Sequence, residues 1–284
     1  MKTVARMRSI GGEGFDMLAV IRGAGDLASG IALRLQRAEC DVIMLDMALP
    51  TAVRRTVSFC EAIRLGETHV EDVCGRLCIC VEEARTIAAQ GIVAVLVDPE
   101  GESIARLAPD VVVDAIIAKR NLGTSKEMAP IVIGVGPGFL AGEGPDADCH
   151  AAVETKRGHH LGRVIYDGSS IPNSGVPGDI GGYTVERVLR APVDGTLKPV
   201  AHIGDVVRRG DVIASVAGAP LPATIGGVLR GLLQEGVPVT CGMKVGDIDP
   251  RCRPDHCHSC SDKARAIGGG VLEALLHFSG RLRG

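Results

Sequence analysis

Two glycines and two aspartates set the first chemical expectation. An apolar run ends in Gly23-Ala24-Gly25-Asp26-Leu27-Ala28-Ser29-Gly30, and a second apolar run ends on Asp46. In a strand-turn-helix unit Gly23 permits the tight turn, Gly25 lets backbone approach a ligand, and the small Ala28 lets the helix pack on the strand. Asp46, about twenty residues further on, is spaced to accept a hydrogen bond from a ribose hydroxyl. Asp26 opposes that simple reading, because a carboxylate at a helix N-terminus competes with a phosphate for the N–H groups and the positive dipole end. Capping the helix that follows, residues 31–37, explains Asp26 equally well. A catalytic carboxylate is the other use of such a position.

A second constellation is Cys252, His256, Cys257 and Cys260. Three thiolates and one imidazole complete a tetrahedral zinc site. A strong zinc signature has two separated ligand pairs, whereas here one loop would have to wrap the ion alone. Cys257 is also a candidate reactive or sulfur-carrying thiol, since a loop leading into a helix N-terminus lowers a thiol pKa. Cys40, Cys60, Cys74, Cys78 and Cys80 fall beside apolar positions and read as small buried hydrophobes.

Cations form the third group. Lys119, Arg120 and Asn121 follow a strand that ends at Asp114, and open α/β sheets bind ligands beyond such strand ends. A further turn, Gly134-Val135-Gly136-Pro137-Gly138-Phe139, follows the next apolar run. Beyond it Glu154, Lys156, Arg157, His159, His160 and Arg163 form a dense charged stretch, either a solvated face or an anion clamp in which Arg157 supplies a guanidinium fork.

Elements that would position these groups can be read from periodicity. Apolar runs at residues 77–81, 92–97, 111–113 and 131–133 alternate with helix-compatible stretches from Thr51 and at residues 82–89. That pattern predicts a Rossmann-like parallel sheet covered on both faces. From Ala191 the chain repeats with an offset of about thirty residues. Ala191, Val193, Gly195, Leu197, Lys198, Gly204, Val207 and Gly210 match Ala223, Ile225, Gly227, Leu229, Arg230, Gly236, Val239 and Gly242. Two such halves suit a small all-β barrel-sandwich of the biotinyl/lipoyl kind, but the equivalent hairpin at residues 216–220 has no lysine to carry a cofactor. A helix start capped at Ser261 follows, and Gly268-Gly269-Gly270 implies either a break in it or very close backbone packing. The expected organisation is a flexible leader at residues 1–16, a Rossmann-like domain at 17–128 and a middle segment completing the cleft at 129–186. The barrel-sandwich repeat then occupies 187–250, and a Cys/His loop with terminal helix occupies 251–284.

The 284-residue chain has a net charge of −3, no Trp, two Tyr and four Phe. It lacks the basic stripe and aromatic platforms of nucleic-acid binders. No apolar run is long enough for a membrane span and no secretory h-region is visible. The ten cysteines are therefore expected to stay reduced in the cytoplasm.

Residues 22–30, 113–124, 134–139, 154–164, 172–178 and 244–251 resemble, in order, the selenium-dependent molybdenum hydroxylase system proteins of the YqeB type. The resemblance implies a cytoplasmic accessory protein for maturation of molybdenum hydroxylases. Such a protein would hold molybdenum cofactor, a nucleotide or another small phosphate-bearing ligand in the cleft. The implied partner is a molybdenum hydroxylase apoenzyme, with a homo-oligomer as a further arrangement. On that reading Gly23, Gly25, Asp46, Lys119, Arg120, Asn121, Gly134, Gly136, Gly138 and Arg157 bind the ligand, while Cys257 approaches a chalcogen. The alternatives are an NAD(P)-dependent oxidoreductase and a ligand-free docking protein for the hydroxylase.

Overall fold

The computed structural model describes residues 17–173, 175 and 178–282. The expected leader at residues 1–16 and part of the 172–178 turn lie outside the described residues. The first part comprises β1 (Leu18–Arg22), α1 (Asp26–Arg37), β2 (Asp41–Asp46), α2 (Glu61–Leu65), β3 (Glu67–Val70), β4 (Val73–Cys78), α3 (Val81–Ala88), β5 (Val93–Val97), α4 (Ile104–Leu107), β6 (Val111–Asp114), β7 (Ile131–Val135), β8 (Ala151–Val153) and β9 (Val164–Ile165). Next come β10 (Val188–Arg190), β11 (Gly195–Pro199), β12 (Val206–Val207), β13 (Val212–Val216), β14 (Ala219–Pro222), β15 (Gly227–Leu232), β16 (Pro238–Val239) and β17 (Lys244–Asp249). A long α5 (Asp262–Phe278) follows them.

The nine strands β1–β9 form one sheet in the order β3-β4-β5-β2-β1-β6-β7-β8-β9. Its middle is parallel, and its apolar strands are buried on both faces because helices cover both. Both edges are antiparallel. At one of them Glu71-Asp72 alone connects β3 to β4, a connection too short for a parallel crossover. The β-rich part forms two four-stranded antiparallel sheets, β10-β17-β15-β12 and β14-β13-β11-β16. The expected Rossmann-like domain with one biotinyl/lipoyl-type barrel-sandwich is thus corrected to a nine-stranded mixed sheet with two separate antiparallel sheets. Register breaks between Leu229 and Gly231 and between Val212 and Ala214 interrupt the ladders that a continuous barrel would need. The repeat is nonetheless visible in the pairing. The first strand of each half, β11 or β15, pairs with the second short strand of the other half, β16 or β12.

The stretch from Thr51, expected to be helical, is mostly irregular, with a single 3-10 turn at Arg55–Val57 before the short α2. Docking onto β15 overrides its local preference: Leu232 N donates to Val53 O at 2.8 Å and Arg55 Nε donates to Leu232 O at 2.8 Å.

The glycine run does not break α5. It lets the helix lie against α1 with backbone nearly touching backbone. A Cβ on Gly268 would stand 2.7 Å from Gly30 O, and one on Gly270 would stand 2.2 Å from Gly162 O. Ile267, Val271 and Leu275 then join Ile21, Ile31 and Leu35 in a single core on that face of the sheet. Ser261 caps the helix by accepting from Ala264 N at 3.1 Å. Replacement of Gly268 by Ala is therefore expected to destabilise the fold by about 1–3 kcal/mol. Gly269→Ala, where an added Cβ meets nothing within 4 Å, is expected to stabilise it by up to about 1 kcal/mol. Urea unfolding of the two variants separates these opposite signs.

Candidate anion-binding cleft

The first glycine turn forms as expected, but its polar groups are turned inward. Gly23 adopts φ +94°, and a Cβ there would lie 2.9 Å from Ala115 O, so only glycine lets β1 turn against the end of β6. Gly23 N donates to Leu45 O at 2.7 Å and Ala24 N donates to Asp46 Oδ2 at 2.8 Å. Asp46 also accepts from Met47 N at 2.7 Å. Burial raises the pKa of this carboxyl against those two hydrogen bonds. Asp46 thus clamps the turn to β2, one backbone N–H on each oxygen, at the position expected to meet a ribose.

Asp26 does not cap α1. Gly25 occupies the N-cap, without a side-chain cap bond, and Asp26 stands in the first turn. Its carboxylate faces cations. Arg54, 6% exposed, pairs with it at 3.6 Å while donating to His256 O at 2.8 Å and Ser259 O at 3.3 Å. Burial lowers the Arg54 pKa, and Asp26 is the strongest opposing influence.

Lys244, at the start of β17, and Lys263, in the first turn of α5, complete the cluster. Lys244 reaches solvent, and Lys263 is half-buried. Desolvation lowers the pKa of Lys244; Asp247 and Asp26 oppose the shift, and Arg187 and Arg230 add to it. Desolvation also lowers Lys263, reinforced by Arg157 and Lys244 and opposed by Asp26 and Glu154. Among the described residues neither ammonium has a hydrogen-bonded or ion-paired partner. Lys263 is moreover at the wrong end of its helix, where the dipole disfavours a cation.

Beneath the lysines lies an ionic net. Asp247 receives Arg187 and Arg230. Asp249 receives Arg251 at 2.7 Å, with Arg230 at 3.6 Å and His256 Nδ1 at 3.8 Å. Burial pushes the Asp249 carboxyl up, but the Arg251 hydrogen bonds and the nearby Arg230 charge outweigh it and hold it at about 2.

Of the other expected ligand residues, Arg157 and Asn121 are engaged within the fold, while Lys119 and Arg120 are exposed. Arg157 forms a fork on Asp262 at 2.8 and 3.0 Å, at the border of the lysine cluster rather than free in it. Asn121 closes its own loop through Thr124 and Asp148. Lys119 adopts φ +64°. A Cβ on Gly138 would lie 2.5 Å from Arg120 Cα, so the second glycine turn packs directly on the Lys119-Arg120-Asn121 loop. Gly134 makes room for the Phe139 ring and Gly136 for Thr155. The structure therefore brings together the turns after β1, β6 and β7, while the unpaired lysines come from elsewhere.

The Cys/His loop is corrected as a metal centre. Cys257 is fully buried with Sγ 3.8 Å from Leu229 O, Cys260 is buried beside α5, and Cys252 is exposed. Among the described residues their donor atoms, with those of His256, do not gather within ligand reach of one another. Burial pushes the Cys257 thiol up, and that of Cys260 to about 11, against the lowering expected of a loop before a helix N-terminus. Cys40, Cys60 and Cys78 are core, but Cys74 is half-exposed and Cys80 exposed.

A cavity of about 440 Å³ lies beside the cleft, lined by Glu154, His160, Arg163, Tyr166 and Ile171 among others. It takes up part of the charged stretch seen in sequence. Both Glu154 oxygens are bound, by Lys156 N at 2.6 Å and Ile171 N at 2.7 Å.

Over 259 residues the chain is 51% identical to the uncharacterized protein YqeB of Escherichia coli (strain K12). By sequence, the chain is a relative of YqeB. The match covers 91% of this chain and 47% of YqeB, so the chain spans about half the length of that curated relative. No family model matches. Among solved structures, an aspartoacylase family protein from Mesorhizobium loti is similar at 14% identity with a TM-score of 0.28, covering 83% of this chain and 86% of that one. A succinylglutamate desuccinylase from a Silicibacter species is similar at 14% identity with a TM-score of 0.23, covering 83% and 85%. YqeB is described only as uncharacterized, so the expected role in molybdenum hydroxylase maturation finds no support in this relative. At such low TM-scores the neighbours lend this chain no activity of their own. Among the described residues no helix is long and apolar enough to cross a membrane.

The ionic net supplies a pH test. Asp249 has a folded pKa below its unfolded value of about 3.9, so its stabilisation is present above that value and lost as pH falls toward about 2. Asp249→Asn is expected to cost about 3 kcal/mol at neutral pH, and to remove on the order of 1–2 kcal/mol of the acid-induced loss between these pH values. Denaturant titrations at a series of pH values measure both.

Proposed function

We propose that this chain binds a small, multiply charged oxyanion in the cleft between the first turn of α1, the start of β17 and the first turn of α5. The observation that carries this reading is the pair Lys244 and Lys263. Lys244, which reaches solvent, and Lys263, half-buried, are both lowered by desolvation; the Lys244 charge adds to the lowering of Lys263, and Asp26, which opposes both shifts, also pairs with Arg54. Lys244, Lys263 and Arg54 share Asp26, while the further counter-charges Asp247 and Glu154 are already engaged by arginines and by backbone N–H groups. Structural lysines avoid such places, whereas an anionic ligand restores the balance and gains from both helix N-termini.

In this reading Lys244 and Lys263 are the anion contacts, Arg54 holds Asp26 in position, and Asp26 limits binding to ligands whose charge outcompetes it. The neighbouring cavity is within the size range of small-ligand sites. A phosphate-bearing ligand fits this chemistry, and so does a compact dicarboxylate.

Pyrophosphate and succinate, titrated separately into the full chain by calorimetry, test the reading. At least one is expected to bind, and Lys244→Met and Lys263→Met are each expected to weaken it about tenfold, or about 1.4 kcal/mol. Lys263→Met is also expected to stabilise the unliganded protein by about 0.3–1 kcal/mol, because it removes a cation from a helix N-terminus. Binding should decline as pH rises, and at a lower pH than ordinary lysines would dictate, since the ammonium forms are required. Failure of both probes to bind, or binding unchanged in both lysine variants, defeats the proposal.

A further inference from the structure

The β3–β4 hairpin carries three donors that the proposed function does not use. In β3 the pleat turns Thr68 and Val70 inward and Glu67 and His69 outward. In β4 Val73 and Gly75 are buried, while Cys74 and Arg76 lie on the outer face. The register places His69 directly opposite Cys74 and Glu67 directly opposite Arg76. One carboxylate oxygen of Glu67, one ring nitrogen of His69 and the Cys74 sulfur all lie within 4.8 Å of one another. Among the described residues this is the set of three that comes so close.

We propose that Glu67, His69 and Cys74 form a binding site for a zinc-class divalent cation on the outer face of this hairpin. Thiolate, imidazole and carboxylate together are a donor set suited to zinc, and three protein ligands leave a fourth position for water. Donors around a tetrahedral zinc stand about 3.5 Å apart, so rotations of exposed side chains bring these three into place without moving the strands. Arg76 does not block the site: both its hydrogen bonds, at 3.1 and 2.8 Å, fall on Glu67 Oε2 and leave Oε1 for the ion. The strand order puts β3 at the edge of the sheet, so an ion there would tie that edge strand to its neighbour.

The binding step involves no redox change. The Cys74 S–H bond breaks, its proton passes to the buffer, a sulfur–metal bond forms, and waters leave the aqueous ion as His69 and Glu67 enter. One proton is released per ion bound, so apparent affinity rises about tenfold per pH unit while the free thiol is protonated.

Cobalt(II) titration of the reduced full chain is the decisive experiment, because it reports thiolate ligation and coordination number at once. One equivalent is expected to produce a thiolate-to-cobalt charge-transfer band together with the intense visible bands of a tetrahedral ion, with zinc displacing both. Cys74→Ser should abolish the charge-transfer band, His69→Ala should weaken binding at least tenfold, and Arg76→Ala should tighten it by freeing the Glu67 carboxylate. Circular dichroism of each variant checks that these exposed substitutions leave the fold intact. Absence of the band in the unsubstituted protein overturns the site, as does a band that survives in Cys74→Ser, which would assign the thiolate to another cysteine.

Discussion

The close approach of α1 and α5 is the constraint on which the other arrangements depend. Gly30 and Gly268 bring two helix backbones together where side chains would hold them apart, and Gly270 does the same against the loop at Gly162. Close-packed interiors convert such contacts into fixed positions, because a methyl group more or less shifts everything built on them. Seated this way, α5 covers the face of the sheet above β7, β8 and β9, and its first turn opens beside α1. Two helix N-termini that come from distant parts of the chain thereby face a common space.

The second support is ionic. Segment 50–57 runs along β15 and ties the two antiparallel sheets to the mixed sheet through backbone and arginine contacts. Arg54 belongs both to this joint and to the cleft: its guanidinium reaches the carbonyls of His256 and Ser259 on one side and Asp26 on the other. Below, Asp247 and Asp249 absorb Arg187, Arg230 and Arg251. Buried ionic nets contribute modestly to stability once desolvation is counted, but losing one member leaves the others unpaired. Here both aspartates of the net are paired with arginines, which is how a region rich in aspartates still presents Lys244 without an ion pair of its own.

Much of the scaffold was legible in the residues. Apolar runs that ignore alternation marked the buried strands β1, β2, β5, β6 and β7, and Ser261 marked the start of α5. The glycine triplet offered a break or close packing, and the fold takes the second. The antiparallel edges were not legible, because β3, β4 and β9 are short and mix polar with apolar positions. The cleft was hidden for another reason. Arg54, Lys244 and Lys263 are far apart in sequence and each has ordinary neighbours; only the position of Lys263, a cation just inside a capped helix start, was a visible anomaly. Asp46 shows the converse: its spacing from the glycine turn is right for a ribose, yet spacing carries no information on which way a carboxylate faces. Cys74 was assigned to the core because β4 was placed a few residues late, and in a strand a shift of one residue exchanges the faces.

The position of α5 also bears on how the chain is made. The apolar surface of α1 and β1 is complete once residue 37 has been synthesised, but the helix that covers it begins at Asp262. A nascent chain leaving the ribosome therefore carries Ile21, Ile31 and Leu35 without their lid while more than two hundred further residues are added. Closing so long a loop costs little more than closing a short one, so the delay is one of translation rather than of chain search. During that interval the half-covered sheet is a substrate for chaperones or for wrong association. A fold whose α1 is covered by a helix made so much later closes this core only once α5 has emerged, rather than element by element.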